Sequence, residues 1–168
     1  MFLQKYELLF LEKYEILIYS FIGFFIPFFL AGPQLLVGSI VNALLVIAAL
    51  RLNNEKILPL IFLPSLGVLA RGLVFGPWTW YLVYFIPFIW ASNYLFVILI
   101  KKYKENKLLS ITIPSFFKAL FLTGIALILV GFNIVPDIFL IAMSIFQLAT
   151  ALIGSSIVIL SKSFINKQ

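Results

Sequence analysis

Apolar residues run through this chain in long blocks, and polar residues are largely confined to the short gaps between them. A helix that crosses a bilayer needs about 20 mainly apolar residues. The gaps divide the chain into six blocks of that order: residues 14–31, 34–52, 57–76, 78–100, 115–135 and 137–160. Gly32-Pro33 and Gly76-Pro77 separate blocks, while Pro114 and Pro136 stand where a first-turn proline is tolerated because its missing amide is not needed. Pro27, Pro59, Pro64 and Pro87 fall inside or near the ends of blocks and predict kinks, which membrane helices accept when neighbours take up the freed carbonyls. The pattern predicts an all-α integral membrane protein: one domain over residues 1–168, a bundle of six transmembrane helices joined by short loops. Residues 1–13 mix charged and apolar positions and fit either an amphipathic helix on the membrane surface or an extension of the first helix.

The charges assign sides to the bundle. Arg51 ends the second block and Lys56 precedes the third, Lys101, Lys102, Lys104 and Lys107 lie between the fourth and fifth, and Lys162 and Lys167 after the sixth. The other three gaps, around Gly32, Gly76 and Asn133, hold no Lys or Arg. An excess of basic residues marks cytoplasmic loops, so both termini are expected in the cytoplasm and the protein in the cell membrane as a multi-pass chain. Lys118, one turn into the fifth block, is expected to snorkel to the cytoplasmic surface. The net charge of +6 is then a topology signal, and no nucleic-acid partner is expected. Hydrophobic residues make up 64% of the chain, more than a soluble domain of this size could bury. Neither Cys nor His occurs, which removes thiolate and imidazole metal sites, histidine-ligated haem, disulfides and Ser-His or Cys-His catalysis together. No metal or cofactor is expected. No small-residue cleavage site follows the first apolar block, so the N-terminus is expected to remain in the mature protein.

Polar residues inside the blocks carry the functional information, because each meets a desolvation cost. Arg71 lies about five residues from the outer end of the third block, about 7 Å deep at 1.5 Å per residue. It either snorkels to the outer headgroups or faces a ligand, with Asp137 as a candidate partner. Gln34, Gly38 and Asn42 recur every four residues and so share one face of the second helix. Asp137, Ser144, Gln147, Ala151 and Ser155 form a comparable stripe on the sixth. Asn42, Asn93 and Gln147 read as helix-packing residues, since small and hydrogen-bonding side chains join membrane helices. Trp78, Trp80 and Tyr84 enter at the outer end of the fourth helix, where they suit an interfacial aromatic belt or the wall of a pocket. Arg71, Gln34, Asn133 and Asp137 with Trp78, Trp80 and Tyr84 are therefore the candidate ligand-binding set near the outer face.

The short-looped six-helix pattern, Gly32-Pro33 leading through Gly38 to Asn42-Ala43-Leu44, Arg71-Gly72 through Phe75-Gly76-Pro77 to Thr79, and Ile86-Pro87-Phe88-Ile89-Trp90 with Asn93 together resemble the substrate-binding S component of energy-coupling-factor vitamin transporters. The resemblance implies a subunit without enzymatic activity that captures a vitamin or related micronutrient from outside. Its implied partners are a membrane scaffold subunit and two ATPase subunits. In that family, alanines four apart on the first helix commonly contact the scaffold; here Ser20 and Gly23 occupy the corresponding helix. A structural or assembly subunit of a larger membrane complex is the competing expectation. Proton-coupled transport normally calls for a mid-membrane carboxylate, and no Asp or Glu falls near the middle of a block.

Overall fold

The computed structural model describes the backbone of residues 2–30, 33–72 and 76–165, and the side chains of 14–30, 33–72 and 77–161. Gly32 and Phe75, and the side chains of Lys5, Lys13, Glu7, Glu12, Lys162 and Lys167, lie outside the described residues. Every element is helical: α1 (Phe2–Phe29), α2 (Gln34–Arg51), α3 (Asn54–Arg71), a 3-10 segment (Gly76–Phe85), α4 (Ile86–Tyr103), α5 (Lys107–Gly131), α6 (Ile138–Met143) and α7 (Ile145–Ile165). Because the 3-10 segment runs into α4 and α6 into α7, four stretches among the described residues are long and apolar enough to cross a membrane: Gln34–Arg51, Pro77–Tyr103, Lys107–Gly131 and Ile138–Ser161. The chain is thus a multi-pass helical membrane protein. The apolar part of α1, Tyr14–Phe29, is shorter. In α3, Glu55, Lys56 and Arg71 flank a segment containing Pro59 and Pro64.

Of the departures from the expected spans, three have a clear local reason. α5 starts at Lys107 rather than Ser115, because the Asn106 side chain accepts from the Leu109 amide at 3.1 Å and caps a helix that then runs through Pro114. The fourth rod is a 3-10 helix until Phe85 and becomes α-helical as Pro87, which has no amide to donate, enters at the first turn of α4. The sixth rod breaks at Ser144, whose φ of −110° and ψ of −86° are not helical. The ladder resumes with the Leu148 amide donating to the Ser144 carbonyl at 2.9 Å.

α2 packs along α7, α1 along α3, and α5 against both α4 and α7. The α2–α7 approach depends on absent side chains: a Cβ on Gly154 would lie 2.6 Å from the Ser39 carbonyl oxygen and 2.7 Å from the Ala43 nitrogen. A Cβ on Gly38 would lie 2.7 Å from Thr150 Cγ2. Two apolar clusters result. One centres on Leu45, Val46, Ile61, Phe96 and Ile100, and the other on Leu82, Phe85, Leu122, Phe139 and Met143. Charged groups gather at the end of the first cluster: Arg51 pairs with Glu15, and Lys101 donates to the Leu52 carbonyl and to Asn54 Oδ1, both at 2.7 Å.

Candidate functional site

Lys118 is 3% exposed; its Nζ lies beside Phe96 of the first cluster, and it lines a cavity together with Leu82 and Met143 of the second. It lies eleven residues beyond the first residue of α5, about 16 Å along a helix rising 1.5 Å per residue, and thirteen before the last. That is midway along the helix, so the expected snorkelling does not occur. The difference follows from the helix start: counted from Ser115 the lysine is superficial, and counted from Lys107 it is central. Its side chain points inward, toward α2 and α4. Nζ donates to Asn42 Oδ1 at 2.7 Å and to Asn93 Oδ1 at 2.6 Å, and sits 5.1 Å from the centre of the Phe96 ring. Among the described residues no carboxylate pairs with it.

Both asparagines are oriented by bonds on their amide side. Asn42 Nδ2 donates to the Gly38 carbonyl at 2.9 Å and to Thr150 Oγ1 at 3.2 Å, across the close α2–α7 contact. Asn93 Nδ2 donates to the Ile61 carbonyl at 3.3 Å, in the turn of α3 that Pro64 interrupts. With the amide groups so engaged, each Oδ1 is left to face Nζ. An ammonium carries three donors; the asparagines accept two.

A cavity of about 100 Å³ adjoins this cluster. Lys118, Asn42 and Asn93 line it together with Gln34, Gln147 and Ser65 as polar groups, and Val41, Val68, Leu82, Ile89 and Met143 among the apolar ones. Asn42 is eight residues from Gln34, so the lining spans about 12 Å along α2. Gln34 also braces a neighbouring helix, since its Nε2 donates to the Ala142 carbonyl at 2.9 Å, next to the Ser144 break, where the α-helical ladder is interrupted. Ser65 Oγ accepts from Trp90 Nε1 at 2.8 Å, which fixes one wall.

The expected outer-face set does not line this cavity as a group. Only Gln34 of those seven residues lines the cavity. Trp78, Trp80 and Tyr84 are exposed, Trp80 to 68%, as residues of an interfacial belt are. Asn133 is exposed at φ 56° and terminates α5: its amide donates to the Val130 carbonyl and the Ile134 amide to the Leu129 carbonyl, the bond pair of a Schellman stop. Asp137 is exposed at the start of α6. Arg71 ends α3 before Gly72, its Nε is buried and meets no acceptor among the described residues, and it forms no ion pair with Asp137. The residues read as helix packing, Asn42, Asn93 and Gln147, all line the cavity, and Asn42 and Asn93 do so while also joining helices.

Comparison of the chain with protein-family models, with curated proteins and with solved structures returns no match.

Proposed function

We propose that this protein is the substrate-capture component of a membrane uptake system, which binds a small solute in the cavity beside Lys118 and does no covalent chemistry on it. One observation carries the reading: a lysine is held in the middle of a membrane helix, against a cavity, by two amide oxygens and no carboxylate among the described residues. A lysine at the centre of a membrane helix costs about 2.5–3.5 kcal/mol on insertion scales. Packing alone does not require that cost, because two asparagines can join helices without it. The rest of the lining, amides and one hydroxyl against aliphatic walls, is the composition of a small-molecule site.

The topology we infer has six spans with both termini cytoplasmic, in the cell membrane. Its support is the gathering of Arg51, Lys101, Lys104 and Glu15 at one end of the bundle and the absence of lysine from the gaps at the other. The cavity, lined by Gln34 at the start of α2, extends toward that lysine-free end. The resemblance to S components of vitamin transporters adds a partner hypothesis, a scaffold subunit with two ATPases. The cavity is smaller than the 300–1,000 Å³ usual for drug-sized ligands, which favours a compact micronutrient over a large vitamin.

Mass spectrometry of small molecules released from gently purified protein tests the assignment. A polar solute that accompanies the wild type and is lost from Lys118→Met is the expected result. Lipid alone in both samples would remove the solute-capture reading and leave an assembly subunit.

A further inference from the structure

Resting on the solute-capture reading, we infer that the site selects a short, singly charged carboxylate, taken head-first against Lys118. Charge decides the first part. The lining carries one ammonium and no other charged side chain among the described residues, so a monoanion neutralises it whereas a dianion would bring a second, unpaired charge into the bundle at high cost. A neutral solute would leave the ammonium uncompensated.

The arrangement of partners decides which end of the solute goes where. Asn42 and Asn93 present oxygens to Nζ while their amide nitrogens donate to Gly38, Thr150 and Ile61, so they meet the lysine as acceptors. The third ammonium donor is the strong recognition group at the base of the cavity, and a charge-assisted bond to a carboxylate oxygen is the interaction it makes best. Val41, Val68, Leu82, Ile89 and Met143 also line the cavity and supply apolar surface for a hydrocarbon tail. Volume limits the tail. At about 100 Å³ the cavity falls below the roughly 300–1,000 Å³ usual for drug-sized ligands, which favours a short acid over an extended acyl chain.

The same carboxylate chemistry is present in water-soluble short acids and in free fatty acids, and the test separates them. Wild-type protein in lipid nanodiscs is titrated with sodium propionate, with propionamide as the neutral isostere, and with decanoate, at constant ionic strength, and binding is read by calorimetry. Propionate should saturate the site, with propionamide weaker by about ten- to hundred-fold, the equivalent of one hydrogen bond to a charged group. Lys118→Met should abolish propionate binding and Lys118→Arg should retain part of it. Equal affinity for propionamide, or propionate binding that survives Lys118→Met, would overturn the charge assignment. Decanoate bound in preference to propionate would overturn the short-chain assignment in favour of a fatty acid. A neutral co-purifying solute lost from Lys118→Met would sink this inference and leave solute capture intact, whereas lipid alone in the released molecules would remove both.

Discussion

Replacing the whole polar cluster by apolar residues should leave the fold at least as stable as the wild type, while breaking it at one corner should not. The single change Asn93→Leu deletes one of the two acceptors of Nζ, at 2.6 Å, a charge-assisted bond worth about 1.5–3 kcal/mol, and leaves the ammonium with a single protein acceptor, Asn42 Oδ1. The weaker Asn93 bond to the Ile61 carbonyl, at 3.3 Å, goes as well. A loss of about 2–4 kcal/mol follows, or roughly 5–15 °C in melting temperature for a chain of this length. In the triple variant Lys118→Met, Asn42→Leu, Asn93→Leu, the buried charge and both of its acceptors disappear together. Leucine keeps the branching and heavy-atom count of asparagine, methionine is close to lysine in volume, and the lysine's desolvation cost of about 2.5–3.5 kcal/mol is relieved. Thr150 Oγ1 keeps its bond to the Gln147 carbonyl at 3.2 Å. Well-packed apolar replacements of buried ionic groups are often neutral or stabilising. Thermal unfolding of the purified proteins in one detergent, followed by tryptophan fluorescence, should therefore rank the triple variant level with or above wild type and Asn93→Leu below both. A triple variant less stable than Asn93→Leu would show that the lysine holds the helices together, and the functional reading of the cluster would fail with it.

Gly154→Ala should destabilise by about 1–3 kcal/mol, the range for overpacking, because the added carbon meets α2 backbone at 2.6–2.7 Å; Gly124→Ala, with nothing within 4 Å, is the control and should not lower the melting temperature. Gln34→Ala should lower stability by about 1–2 kcal/mol, leaving the Ala142 carbonyl without its 2.9 Å donor at the α6–α7 break. Arg51→Ala should cost no more than about 1 kcal/mol, since the pair with Glu15 is solvent-accessible, and a larger drop in melting temperature would mean that this pair fixes the α1–α2 arrangement. The chain has no cysteine of its own, so a single Lys104→Cys variant reports sidedness directly: a membrane-impermeant maleimide should label it only after the cells are opened, and labelling from outside would reverse the proposed orientation.

The helical membrane architecture is legible in the sequence because lipid imposes one rule on every span, a long apolar block, and that rule needs no knowledge of neighbours. The Gln34, Gly38 and Asn42 face is legible for a similar reason, as four-residue spacing alone aligns them, and all three line the cavity. The outer set is harder to read, because its local chemistry has two readings. Asn133 near the end of a helix serves as a ligand or as a left-handed stop with equal plausibility in sequence, and only its φ of 56° separates them. Lys118 misleads differently, since Pro114 suggests a helix boundary that the Asn106 cap in fact sets two turns earlier. A signal is present in the spacing. Ser115, Ala119, Leu122 and Ala126 recur at three and four residues and form the buried face of α5, whereas Phe116, Phe117, Leu120 and Leu127 form the exposed one. Lys118 lies three residues after Ser115 and four before Leu122, which places it on the inner face. A lysine that snorkels needs a path along the lipid-facing side, and this one is on the opposite side. Periodicity therefore outranks proximity to a helix end as the guide to a membrane lysine: the helix end can be misjudged by two turns, while the face on which a residue lies is fixed by its neighbours at three and four.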